Sequence, residues 1–266
     1  MRVTASGTAF CNQNFAEDSG GTPMIEFGKF KALTFDCYGT LIDWETGITR
    51  LVQPWLDEIG SPVPAELVVT SFALHQAKHQ QTRPALLYPE VLIRTWRDIE
   101  KTFGWPENPA HADAFSNSVP DWPPFADTIE SLRYLKQFFQ LGILSNVDNA
   151  SLAGTLQQLV VPFDLTVTAQ DVESYKPGLP HFERCFELFT AKGISRDEIL
   201  HVAQSKHHDI KPGRDLDLTT VWVNRRHNRP GTGATLATEA EPHLTVHSLA
   251  ELIALHKAQQ PAVSAG

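Results

Sequence analysis

Ala32-Leu33-Thr34-Phe35-Asp36-Cys37-Tyr38-Gly39-Thr40-Leu41-Ile42-Asp43 is the stretch whose reading decides the fold. Ala32 to Phe35 form a short run of the kind found in buried strands of parallel sheets. Asp36 closes that run, and Gly39 lets the chain turn sharply and brings backbone N–H groups close to it. A carboxylate at the carboxyl end of such a strand stands where open α/β sheets bind ligands, and a carboxylate can act as a covalent nucleophile. Taken alone, Asp36 reads first as a cap for the following helix. Cys37 neighbours it on a pleated strand end, so its side chain is expected on the opposite face, as packing.

Three later segments change the reading of Asp36. Leu141-Gly142-Ile143-Leu144-Ser145-Asn146 is a second strand, ending in a hydroxyl and an amide. Ser174-Tyr175-Lys176-Pro177 sets a lysine on a loop before a helical stretch, and Ile199-Leu200-His201-Val202-Ala203 is a third strand running into Gln204-Ser205-Lys206-His207-His208-Asp209. The order Asp, Ser, Lys, Asp at the ends of successive strands resembles the haloacid dehalogenase superfamily. Within it, Asp36-Cys37-Tyr38-Gly39-Thr40-Leu41-Ile42-Asp43-Trp44 is similar to the type II L-2-haloacid dehalogenases. The resemblance runs over most of the chain.

The rest of the pattern agrees. After Asp127, helical and strand periods alternate: a helix from Ile129, the Ser145 strand, a helix over 150–159, a strand near Leu165, a helix over 181–189, strands at Leu200 and Thr220, and a last helix at 249–255. That alternation predicts an α/β fold with a doubly wound parallel sheet. Between Trp44 and Asp127 the apolar spacing is helical instead, as in Ile48-Leu51-Val52-Trp55-Leu56 and Val91-Leu92-Trp96-Ile99. The resemblance implies that this insertion after the first strand is a helical cap over the site. The expected division is a core of 28–43 and 128–256, a cap of 44–127, a disordered extension over 1–27 and a flexible tail over 257–266.

The formal net charge of −9 argues against nucleic acid as the partner. Cysteines at 11, 37 and 185 suit a reducing, cytoplasmic setting better than a disulfide framework. No apolar run reaches the ~20 residues of a membrane helix. The expected partner is a small molecule, no cofactor is implied, and a homodimer is left open.

Tyr38 bears on the reaction type. In the phosphatase branch of the superfamily the residue two after the nucleophile is an aspartate that protonates the leaving oxygen. Halide leaves without a proton, so tyrosine there is what the dehalogenase branch carries. The resemblance then implies that Asp36 attacks Cα of a short 2-haloalkanoic acid, and that water hydrolyses the resulting ester to a 2-hydroxy acid. It also implies that Thr40 orients Asp36 and that Lys176 keeps it charged. Asp209 holds Lys176 and helps to position the water, and Ser205 supports it. Ser145 and Asn146 donate to the substrate, while Tyr38 and His208 line its pocket. Arg83 is the cap arginine expected to grip the carboxylate or the halide.

The chain departs from that family at Lys206, Phe182 and His208, where the family carries asparagine, tyrosine and tryptophan. Two other readings stand beside this one. A magnesium-dependent phosphatase would use Asp36 and Asp209 as ligands, and a non-catalytic interaction module would keep the fold without turnover.

Overall fold

The computed structural model describes residues 25–229, 231 and 233–261. Strand β1, Ala32–Phe35, lies at the middle of a parallel sheet, between β2 (Gln140–Ser145) and β4 (Ile199–Ala203). Beyond β2 lies β3 (Leu165–Thr168), and beyond β4 lie β5 (Thr219–Val223) and β6 (Leu244–Val246), giving the order β3-β2-β1-β4-β5-β6. All five pairings are parallel. Every residue of β1 and β4 is buried, which is why both read as mainly apolar runs without alternation, broken only by Thr34 and His201. The chain leaves β1 towards β2 on one side and returns to β4 on the other. That reversal opens a crevice at the carboxyl ends of β1, β2 and β4, where a ligand is expected in such sheets.

After β1 the chain forms four helices of the inserted segment, α1 (Trp44–Glu58), α2 (Ala65–Gln80), α3 (Tyr88–Phe103) and α4 (Pro109–Ser116), before a fifth leads into β2. The Asp43 carboxylate opens α1 by accepting from the Thr46 N–H at 3.1 Å, and Gly104 closes α3 in the left-handed conformation at φ 69°. Helices α5 (Thr128–Leu135), α6 (Asn149–Leu159), α7 (Pro180–Thr190), α8 (Lys211–Asp215) and α9 (Leu249–Gln259) then alternate with the later strands. Sequence reading missed α4, α8 and β6. The helix α4 is short and alanine-bearing, α8 is a five-residue turn with Pro212 and Gly213, and β6 is three residues set among polar neighbours.

Residues 25–27, expected in the extension, and 257–259, expected in the tail, are part of the folded chain. Phe27 is buried, and its N–H donates to Gln259 Oε1 at 3.0 Å, so residues 25–27 and the end of α9 close on each other. Residues 1–24, including Cys11, and 262–266 lie outside the described residues. Among the described residues no helix is long and apolar enough to cross a membrane.

One salt bridge ties the sheet ends to the chain leaving the α1–α4 segment. Arg225, just past β5, donates from Nη1 to both oxygens of Asp127 at 2.8 and 3.0 Å. Its Nη2 and Nε donate to the Thr40 carbonyl, with Nη2 at 2.9 Å. Asp127 also accepts the Leu249 N–H at the start of α9, at 2.7 Å. A planar guanidinium with donors on three nitrogens can serve both acceptors at once.

Gly47 on α1 lets this helix approach Trp122, because a Cβ there would fall 2.4 Å from the Trp122 ring. Glycine to alanine inside a helix ordinarily stabilises by ~1 kcal/mol. Here backbone and a large buried indole must move apart, an overpacking cost of about 1–3 kcal/mol. Gly47→Ala should therefore lower the midpoint of denaturant unfolding; a rise would show that Trp122 yields without strain.

Candidate active site

Asp36 follows the last residue of β1 and is buried to 7% exposure, facing the crevice. Both of its oxygens are held. Lys176 Nζ donates to Oδ1 at 3.0 Å, and the Thr40 hydroxyl donates to Oδ2 at 2.9 Å. Thr40 Oγ1 in turn accepts the Gln204 N–H at 2.9 Å, which leaves its own hydrogen for Asp36. Gly39 makes this turn at φ 92°, a backbone region that costs other residues energy. Cys37 is buried, and burial pushes its thiol well above the ordinary range, so it packs and stays protonated.

Lys176 stands between two carboxylates. Its ammonium reaches Asp209 Oδ1 at 2.6 Å and the Leu144 carbonyl at 2.7 Å in addition to Asp36. Burial works against its charge, but Asp209 and Asp36 outweigh this and raise its pKa above the ordinary value. Asp209 is fully buried, yet Lys176 and His201, whose Nε2 lies 3.2 Å from Oδ1, bring its carboxyl down to about 2. Asp36 goes the other way. Burial and the Asp209 charge push its pKa up, against the pull of Lys176.

The cavity over Asp36 is small, about 30 Å³. It is lined from the sheet side by Asp36, Tyr38, Asn146, Lys176, Ser205 and His208, and from the helical side by Trp44, Gln76, Gln80 and Tyr88. That volume holds a water or two. A three-carbon substrate therefore needs α2 and α3 to draw back, a motion common in enzymes that close over their substrate.

Most of the residues expected from sequence meet here. Thr40 bonds Asp36, Asp209 holds Lys176, and Tyr38, Asn146, Ser205 and His208 line the cavity. Several do so in a different capacity. The Tyr38 hydroxyl pairs with Thr155 Oγ1 at 2.8 Å, so the tyrosine offers its ring to the cavity. Asn146 clamps the Lys176 backbone, donating to its carbonyl at 3.0 Å and accepting its N–H at 2.7 Å. Ser205 caps the π-helical turn Lys206–Ile210 by accepting the His208 N–H at 3.0 Å, and its hydroxyl lies 3.1 Å from His208 Nδ1. Burial pushes the His208 imidazole down to about 3, so it is neutral at ordinary pH.

Three expectations are corrected. Arg83 is exposed and outside the cavity, its guanidinium donating to the carbonyls of Gln80 at 3.1 Å and Thr82 at 2.9 Å. The turn after α2 satisfies that arginine locally, and among the described residues no arginine lines the cavity. Ser145 sits wholly buried at the end of β2, and its hydroxyl does not reach the cavity. Asp209 holds Lys176 but does not line the cavity, so it is not placed to bind the water.

Sequence reading missed His201, whose Nδ1 meets Thr34 Oγ1 at 2.9 Å beneath Asp209. It also missed Gln76 and Gln80. Each had a signal: a histidine inside a buried strand, and two glutamines four apart on the buried stripe of α2 with Val69, Phe72 and Ala73.

A magnesium ion bridging Asp36 and Asp209 would have to share them with Lys176, although Asp209 Oδ2 is buried without a partner. The Lys176 ammonium already stands between the two carboxylates, and Asp209 Oδ1 is shared by Lys176 and His201. His207 is turned away to Thr238, at 3.0 Å. Among the described residues no group of three or more His, Cys, Asp or Glu is placed to hold a metal.

The chain is 26% identical over 214 residues to the (S)-2-haloacid dehalogenase 4A of Burkholderia cepacia, spanning 76% of this chain and 86% of that protein. It is 27% identical over 143 residues to the pyrimidine 5'-nucleotidase YjjG of Escherichia coli, spanning 53% of this chain and 60% of that protein. The L-2-haloacid dehalogenase of Xanthobacter autotrophicus, solved with chloropropionic acid covalently bound, superposes with a TM-score of 0.71 at 18% identity, covering 87% of this chain and 100% of the other. That likeness establishes the shared fold. Residues 33–223 match the haloacid dehalogenase-like hydrolases as a family. With the parallel sheet, the helices inserted after β1 and Asp36 at the strand end, this chain belongs to that family.

Proposed function

We propose that this hydrolase removes halide from short 2-haloalkanoic acids through an ester on Asp36. The observation that carries this reading is that, among the described residues lining the cavity, none is a ready proton donor. His208 is neutral, with its pKa at about 3, and burial pushes Tyr38 and Tyr88 well above the ordinary tyrosine value. Lys176 is held charged by two carboxylates. A phosphomonoester or other alcohol leaving group needs a proton near neutral pH; a halide does not.

In the first step an Asp36 oxygen forms a bond to Cα while the carbon–halogen bond breaks and the halide keeps the electron pair. Lys176 and Thr40 fix the carboxylate from both sides, leaving it little freedom except towards the cavity. Holding nucleophile and carbon in line contributes up to ~7–11 kcal/mol of barrier lowering. In the second step water adds to the Asp36 ester carbonyl and the ester C–O bond on the Asp36 side breaks. The 2-hydroxy acid leaves with an original Asp36 oxygen, and one proton is released. His208, whose Nδ1 lies 3.1 Å from Ser205 Oγ, borders the cavity, and with its hydrogen on Nδ1 its Nε2 is a neutral acceptor for this water.

The relative from Burkholderia cepacia, a haloacid dehalogenase by name, supports the reading, and the nucleotidase relative makes a direct test necessary. One turnover in ¹⁸O-labelled water should place the label in Asp36 and leave the first product hydroxyl unlabelled. Label in that first hydroxyl would remove the covalent step. Exhaustive chelation should leave halide release unchanged, whereas activity restored by magnesium would favour phosphoryl transfer.

Asp36→Asn should abolish turnover and leave stability equal or raised. A carboxyl whose pKa is raised on folding costs stability in its charged form, above the ordinary value of 3.8. The amide is nearly the same shape without that charge. A clear loss of thermal stability would mean that the charge supports the fold.

The pH profile of kcat/KM follows from the same groups. Activity needs ionised Asp36, so the acid limb should lie above the ordinary carboxyl value of 3.8. Lys176 must stay protonated, and its raised pKa puts the alkaline limb above 10.5. No limb is expected between pH 6 and 8, since His208 has lost its proton by about pH 3. An inflection near pH 6.5 that vanishes in His208→Gln would assign that histidine a proton-transfer role.

A further inference from the structure

Gln76 and Gln80 stand one turn apart on α2 and are 4% and 5% exposed, on the side of the cavity opposite Asp36. Their carboxamides border the cavity, so their amide groups are hydrogen-bonding partners for whatever fills it. Gln76 Oε1 accepts the Tyr88 hydroxyl at 2.6 Å, which leaves its NH₂ group available. The Gln80 carboxamide makes no hydrogen bond among the described residues, and it borders the cavity.

The charge around the cavity is equally informative. Lys176 contributes one positive charge, and Asp36 and Asp209 contribute two negative ones. His208 is neutral, and among the described residues no arginine borders the cavity. The resting charge is therefore −1, before any substrate arrives. A carboxylate substrate would make it −2 in a confined, largely buried space, where like charges repel more strongly than in bulk water.

We propose that Gln76 and Gln80 grip the carbonyl end of the substrate, and that its best form is the uncharged 2-haloalkanamide rather than the 2-haloalkanoate. This rests on the dehalogenase reading and goes beyond it. A substrate carboxamide matches Gln80 at both ends: its C=O accepts from the Gln80 NH₂ and its NH₂ donates to Gln80 Oε1. Its oxygen also accepts from the Gln76 NH₂. A carboxylate has no hydrogen to give, so it offers Gln80 Oε1 no donor. The chemistry is otherwise unchanged. Asp36 displaces halide with its electron pair, and water hydrolyses the ester to the 2-hydroxyamide, releasing one proton.

The test compares (S)-2-chloropropionamide with (S)-2-chloropropionate by chloride release from the full-length protein. The amide should show kcat/KM at least tenfold above that of the acid. Gln80→Met, which keeps length without polar atoms, should raise KM for the amide about tenfold and change kcat little. Gln80→Glu should depress the acid further than the amide. Circular dichroism and melting temperature check that each variant folds, and the ratio of the two substrates within a single preparation does not depend on how much of it is folded. A tenfold preference for the acid would overturn the proposal while leaving the dehalogenase reading intact. So would a Gln80→Met enzyme with unchanged kcat/KM for the amide. No chloride from either compound, with no ¹⁸O entering Asp36, would overturn the reading itself and this inference with it.

Discussion

Everything at the carboxyl end of the sheet depends on one buried ammonium. Lys176 is 1% exposed, and removing such a charge from water costs several kcal/mol unless its hydrogen bonds are replaced. Asp36, Asp209 and the Leu144 carbonyl replace all three. Those partners come from the ends of β1, β4 and β2, so the lysine joins the three central strands at the point where the chain reverses direction. Asn146 then fixes the lysine backbone, and His201 fixes Asp209 from below. Removing either carboxylate would change the charge that the lysine sees, and with it the state of the other. The two aspartates are therefore separated in role by their surroundings. One is sealed off and driven well below the usual carboxylate range; the other faces the cavity with its pKa raised. A raised pKa marks a carboxylate that is poorly stabilised at rest and correspondingly ready to share its electrons.

The sheet side of this arrangement was legible in the sequence because its chemistry lies within a few residues of strand ends. Asp36, Thr40, Lys176, Ser205 and Asp209 each follow an apolar run or a tight turn, and the alternation of elements says where those ends gather. What adjacency in sequence does not show is which atom faces where. Ser145 and Asn146 are neighbours, yet one is closed inside the sheet and the other braces a loop. Asp209 was rightly tied to Lys176, but the depth at which it sits, beneath the cavity wall, is a matter of tertiary packing.

The helical side was far less legible. Its contribution is made by two glutamines inside a helix, and glutamine in a helix ordinarily reads as a solvated surface residue. Arg83 drew attention because it is a charged residue beside a proline turn near the end of α2. A guanidinium next to a helix C-terminus has unpaired carbonyls within reach, and Arg83 takes those of Gln80 and Thr82. The attraction between the helix end and the cation removes it from the cavity. The more telling clue was the pattern of polar residues on an otherwise apolar stripe, since Gln76 and Gln80 continue the line of Val69, Phe72 and Ala73. Such residues are buried at a desolvation cost, and that cost has to be offset by a partner.

These two sides set different limits on a substrate. On the proposed reading, the sheet side would hold the reacting carbon by way of Asp36, Thr40 and Lys176. The helical side would meet the remainder of the molecule, and it offers amide groups without charge. Electrostatic attraction by an arginine falls slowly with distance and tolerates misplacement, whereas hydrogen bonds from carboxamides weaken steeply once angle or distance departs from the best values. Selectivity built on Gln76 and Gln80 is thus geometric, and it depends on α2 returning to one position over the sheet. Trp44, whose ring packs edge-on to Phe72 of α2 at 5.7 Å, links that position to the turn containing Gly39 and Thr40. Closure of α2 and orientation of the nucleophile are in this way consequences of the same packing.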